Sequence, residues 1–84
     1  MPVSVHHPNY KALRTALATF RRSAGLSQVQ LAQQLGVGQS YISKIERAEA
    51  YVDVFVYVDW LVACNVNPGI ELNRLIKALP KAHF

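Results

Sequence analysis

The apolar residues of this chain recur with a helical period along most of its length. After Tyr10 they fall at Leu13, Ala16, Leu17, Phe20 and Ala24, one face of a 3.6-residue repeat, and Gly25 supplies the stop. The opposite face carries Lys11, Arg14, Thr15, Arg22 and Ser23, which suit either a solvated surface or contacts to a nucleic-acid backbone. A second helix is punctuated at both ends. Ser27 can accept from the N–H of Gln30, whose side chain can reach back to Ser27, while Leu26 and Leu31 staple across the cap and Gly36 takes the left-handed position after Leu35. At two turns this helix holds only if packed. A third helix starts near Gln39, after Gly36-Val37-Gly38, with Ile42 and Ile45 inward and Gln39, Ser40, Tyr41, Ser43, Lys44 and Arg47 outward.

From Tyr51 to Ala63 two patterns compete. Val52, Val54, Val56 and Val58 alternate as in a strand. Helix is the favoured reading, because Asp53 is a good N-cap, Val54, Tyr57, Leu61 and Cys64 share a helical inner face, and Asn65 can close in the left-handed conformation. A fifth helix is expected from about Gly69 to Leu79, through Ile70, Leu72, Leu75 and Ile76, with Pro80 beyond it. Residues 1–9 hold two prolines and no periodicity and read as a flexible arm, residues 10–79 as one domain, and residues 80–84 as a tail. The expected fold is all-α, a compact five-helix domain.

Size and composition narrow what this domain can do. A chain of 84 residues buries only about 63% of its extended surface on folding, enough for one small core that dimerisation often helps. The single cysteine, Cys64, excludes an internal disulfide and any multi-cysteine metal site, and suits a reducing compartment. It reads as a small core hydrophobe. His6 and His7 sit side by side in the arm, a poor basis for a metal site, so neither a metal nor a cofactor is expected. The opening MPVSVHHPNY has no basic start leading into an apolar run, and no apolar stretch approaches a membrane span, which predicts a cytoplasmic protein with no membrane partner. Without a plausible carboxylate pair, a Ser, His and Asp set or a glycine-rich phosphate loop, an enzyme is not expected.

Charge is divided unevenly. Residues 1–47 hold Lys11, Arg14, Arg21, Arg22, Lys44 and Arg47 against Glu46 alone, a net +5, whereas the remainder nets −1. A basic half joined to a near-neutral apolar half suggests a polyanion partner for one and folding or self-association for the other. The link between the second and third helices is short enough to force a sharp turn between two short helices, the helix-turn-helix arrangement, whose second helix projects toward a DNA major groove about 12 Å wide.

Residues 13–68 resemble the Cro and cI repressor type of helix-turn-helix domain, the lambda-repressor-like fold. The stretch LRTALATFRRSAGLSQVQLAQQLGVGQSYISKIE and the later DVFVYVDWLVACNVNP carry the resemblance, with Ser27, Gln28, Leu31, Ala32, Leu35, Gly36, Ile42, Ser43, Ile45 and Glu46 at matching spacings. It implies that Gln28 touches a phosphate and can bond Gln39, that Gln39 reads a base edge, and that Ser40, Tyr41, Ser43 and Lys44 are the other base-reading positions. A glutamine amide can pair with adenine N6 and N7 together. Tyr41 either meets a thymine methyl or covers the helix surface. Arg47, with Arg14 and Arg22, is expected at phosphates, and Arg21 and Glu46 as a structural ion pair between the first and third helices. The chain departs from the pattern at Gly38, which offers no side-chain cap, and at Ala48, where glycine is usual. A left-handed Ala48 would cost roughly 1 kcal/mol, so the third helix can instead be expected to continue toward Glu49.

If Val54, Tyr57, Leu61 and Cys64 face the core, then Phe55, Val58 and Val62 lie on another side with Val56 and Trp60 flanking, joined by Leu72, Ile76 and Leu79 of the fifth helix. These six form the expected homodimer interface, unless the fifth helix folds back over that surface. The expected function is a sequence-specific DNA-binding transcriptional regulator, a repressor on double-stranded DNA that recognises a palindromic operator as a homodimer. The alternative is a protein-binding module such as the antitoxin of a toxin pair, whose apolar surface covers a protein partner.

Overall fold

A computed structural model describes residues 4–80, and their regular structure is entirely helical: α1 Pro8–Ser23, α2 Gln28–Leu35, α3 Gln39–Glu46, α4 Val54–Ala63 and α5 Pro68–Ala78. The first three residues of the expected arm and residues 81–84 of the expected tail lie outside the described residues. α1 starts at Pro8, two residues before Tyr10, the start expected from the sequence. Pro8 occupies the first turn, where a missing N–H leaves nothing unpaired, and the His7 imidazole accepts from the N–H of Asn9 at 3.1 Å. Its first turn is polar, so periodicity could not reveal it. Asn9 is nevertheless buried, and along α1 the buried positions are Leu17, Ala18 and Arg21, while Ala24, expected on the inner face, is exposed at the C-cap.

α2 begins with the full reciprocal cap. Ser27 Oγ accepts from the N–H of Gln30 at 3.0 Å, and Gln30 Oε1 accepts from the N–H of Ser27 at 2.8 Å. Ala32, 3% exposed, and the buried Ile42 and Ile45 fill the corner between α2 and α3, with Val37 packed against them from the turn. Gly38 caps α3 through its backbone alone.

The contested segment is helical, and Asp53 Oδ1 accepts from the N–H of Val56 at 2.9 Å. Its rotation differs from expectation. Trp60, expected at the flank, is fully buried at the centre of the core, and Val54, expected inside, is 60% exposed; Tyr57, Leu61 and Cys64 face inward as expected. Burial pushes the Cys64 thiol pKa up, only partly opposed by the charge of Arg21, and the sulfur behaves as a packed apolar group. The core of Leu17, Leu31, Ile42, Ile45, Trp60 and Leu61 joins α1 through α4.

Four helices end in the same way. Gly25, Gly36, Ala48 and Asn65 have φ of 74°, 70°, 64° and 65°. In each case the next N–H reaches back five residues: Leu26 to Arg21, Val37 to Ala32, Glu49 to Lys44 and Val66 to Leu61, at 2.8–3.1 Å. The expected continuation of α3 toward Glu49 therefore does not occur. Ala48 accepts the left-handed strain because this turn buries its methyl and satisfies the carbonyl of Lys44.

α5 starts earlier than expected, at Pro68, with Asn67 Oδ1 accepting from the N–H of Ile70 at 3.0 Å. It packs along α4, where the Tyr57 hydroxyl donates to the Pro68 carbonyl at 3.1 Å, yet none of its own residues is buried. The helix-turn-helix is thus braced by α1 and α4, and α5 lies outside the core.

Candidate nucleic-acid interface

The outward side of α3 is polar and basic. Gln39, Ser40 and Lys44 are exposed, Ser43 is half-buried, and Arg47 stands exposed at the C-cap. Tyr41 is half-buried and packs against the edge of the core, so part of its ring covers the helix. Between Gln39 and Ile45 there is no carboxylate to repel phosphate.

Behind this face runs a chain of four side chains. Arg21 Nε donates to Glu46 Oε2 at 2.7 Å and its terminal nitrogen to Oε1 at 3.0 Å, a bidentate pair that ties α1 to α3. The other terminal nitrogen of Arg21 donates to the Leu26 carbonyl at 2.9 Å, where the chain enters α2. Gln28 Nε2 donates to Glu46 Oε1 at 3.0 Å, and Gln39 Nε2 donates to Gln28 Oε1 at 2.7 Å. The side chains of Arg21 and Glu46 are 10% and 8% exposed, whereas Gln39 is at the surface, so the chain runs from the interior to the exposed start of α3.

Burial by itself would raise the Glu46 carboxyl, but bonds from Arg21 and Gln28, with the charges of Arg21 and Arg22, hold it below the ordinary carboxylate value. The Arg21 guanidinium is correspondingly raised, chiefly by its bonds to Glu46. A bidentate, charged and hydrogen-bonded pair of this kind holds position far better than an exposed pair.

The remaining cations differ in availability. Arg22 is exposed at the end of α1, while Arg14 is half-buried beside Tyr10, Leu13 and Ala48 and bounds the cleft under the α3–α4 loop. Arg47 pairs with Glu49 at 3.0 Å, both well exposed, so a phosphate would have to compete with that carboxylate. Neither the Glu49 partner nor the Gln28–Glu46 bond was legible in the sequence. The first depends on the turn after α3, and the second joins residues 18 positions apart.

Apolar side chains are also exposed on α4 and α5. Phe55 is 78% exposed, Val62 61% and Val58 37%, one stripe of α4, and Leu72 and Ile76 are exposed on α5, with Leu79 half-buried beyond them. Among the described residues no helix is long and apolar enough to cross a membrane.

The family model described as a helix-turn-helix domain matches residues 12–75, which include all of α2, α3 and α4. A search of curated proteins gives no match. Among solved structures, an XRE-family like protein from Pseudomonas syringae pv. tomato str. DC3000 superposes with a TM-score of 0.82 at 36% identity, over 90% of this chain and 93% of that one. The capped α2, the sharp turn at Gly36, the projecting polar α3 and these two matches agree, and the chain belongs to the XRE family of Cro- and cI-like helix-turn-helix DNA-binding transcriptional regulators.

Proposed function

We propose that this regulator is a repressor that binds a palindromic operator as a homodimer, with α3 lying in the major groove and the promoter occluded. The observation that carries the reading is the start of α3. Gln39 is exposed there and braced by Gln28, with Ser40, Ser43 and Lys44 on the same polar helix and no acid among them. A bound amide of this kind matches adenine, whose N7 accepts and N6 donates. In this reading Tyr41 offers its uncovered edge to a thymine methyl, Gln28 donates an N–H to a phosphate oxygen, and Arg14, Arg22 and Arg47 neutralise phosphates on either side. Pairing of two copies through Phe55, Val58, Val62, Leu72, Ile76 and Leu79 would set two recognition helices about 34 Å apart, one DNA turn.

Selection of duplexes from a random library at near-physiological salt tests this directly. Enrichment of an inverted repeat with half-site centres about 10 base pairs apart is expected, with Gln39→Ala costing roughly 1–3 kcal/mol and relaxing one base pair per half-site. Binding without enrichment, fading as salt rises, would reduce the basic face to backbone affinity. The exposed apolar stripe of α4 favours one other reading, a surface that covers a protein partner as in an antitoxin, and a stable hetero-complex in place of a homodimer would support it.

A further inference from the structure

Four side chains link the buried ion pair to the exposed start of α3, and each can bond its neighbour in only one sense. We propose that Glu46, anchored by Arg21, acts through Gln28 to set which way round the Gln39 amide is held, and so determines the order of acceptor and donor that α3 shows to a base pair. The inference rests on the DNA-reading function proposed above and makes Arg21, Glu46 and Gln28 positioning residues for it.

An ionised carboxylate only accepts, and Glu46 already receives two bonds from Arg21, which only donates. The Gln28 amide must therefore turn its NH2 toward Glu46, as it does at 3.0 Å, which leaves its carbonyl oxygen facing Gln39. That oxygen in turn requires the NH2 of Gln39, which donates to it at 2.7 Å. One N–H and the carbonyl of Gln39 remain for DNA, in a fixed order.

A base pair that demanded the reverse order would turn the Gln39 oxygen onto the Gln28 oxygen. Relieving that clash by turning Gln28 would put its oxygen against the carboxylate of Glu46. The cost of misreading is carried back to a charge whose side chain is 8% exposed, where no water can easily compensate it. An isolated surface glutamine has no such constraint, because its amide turns to suit either order.

The test compares base preference at the pair read by Gln39 for wild type, Gln39→Ala, Gln28→Ala, Glu46→Gln and the two double variants that combine Gln39→Ala with each of the others. Competition binding uses the selected duplex and its single-base variants at that pair, with folding of each protein verified by its melting transition. Gln28→Ala replaces a helix-start residue on the rim and keeps the test open if Glu46→Gln folds poorly.

Expected is a loss of discrimination at that pair of about fivefold or more for both single variants, the lower end of what one bidentate contact confers, and no further loss in the Gln39→Ala background. A role in folding or phosphate contact alone would weaken all duplexes alike, leave discrimination at that pair unchanged, and overturn the inference. If wild type discriminates no sequence, the DNA-reading function itself falls and this inference with it. If wild type and Gln39→Ala behave as proposed but Gln28→Ala keeps full discrimination, the inference alone falls.

Discussion

The indole N–H of Trp60 donates to the backbone carbonyl of Leu17 at 3.0 Å, and both side chains are fully buried. This one bond joins α4 to the middle of α1, 43 residues away in sequence, and places the largest side chain of the chain at the centre of the core. It also orients the platform from which α2 and α3 project, since α1 packs against α3 and α4 against α2.

Trp60→Phe removes the donor and part of the ring volume while keeping an aromatic in place. A loss of roughly 2–3 kcal/mol in unfolding free energy is expected, combining the lost bond with an imperfectly filled cavity. Denaturant titration measures it, and a variant within about 0.5 kcal/mol of wild type would mean that Trp60 is replaceable filler.

Acid should reveal the Glu46 network. A carboxyl held below its unfolded pKa, as Glu46 is, stabilises the fold above the unfolded value of about 4.3 and loses that contribution as pH falls through the folded value. Unfolding free energy measured from pH 7 to pH 3 should therefore fall below about pH 4.5, more steeply for wild type than for Glu46→Gln. Arg21→Met inverts the dependence. The abandoned carboxylate costs about 3–5 kcal/mol at neutral pH, and part of the loss returns as acid neutralises it. Equal slopes for wild type and Glu46→Gln would contradict this account.

Glu49 restrains Arg47 through an exposed pair. Glu49→Gln should free the guanidinium and tighten binding to every duplex by up to about fivefold, with base preference unchanged, because an exposed pair is worth at most about 1 kcal/mol. Arg47→Ala should weaken all duplexes and lower the salt slope by about one. A Glu49→Gln variant that binds no tighter would place Arg47 away from phosphate.

Phe55 is the most exposed large apolar residue among those described, and none of the described residues covers it. Phe55→Glu should leave the unfolding free energy of the monomer within about 0.5 kcal/mol while converting dimer to monomer in sedimentation, because two charges would meet across a two-fold axis. Wild type sedimenting only as monomer at tens of micromolar would remove the proposed interface.

The ends of helices were legible wherever the chemistry is local. The reciprocal cap of Ser27 and Gln30, the Asp53 cap, and the left-handed turns at Gly25, Gly36 and Asn65 each close within three to five residues, so composition at those positions suffices. The same local chemistry was available at Asn67-Pro68, an acceptor followed by a residue that belongs at a first helical position. At Ala48 it pointed the wrong way: local strain argues for a longer helix, and the burial of its methyl in the fold decides for the turn.

By itself the sequence determined the five helices, the sharp α2–α3 turn and the polar outer side of α3, because each depends on periodicity and capping within a few residues. It also determined where charge lies, with every excess cation ahead of Ala48. Only the tertiary structure decided which side of α4 turns inward. A helix apolar on all sides has no polar face to orient it, so the surfaces of α1 and α2 select Trp60 over Val54. It alone brought Arg21, Glu46, Gln28 and Gln39 into one chain, for a bond across 18 or 25 residues exists only after three helices have met around one largely buried carboxylate.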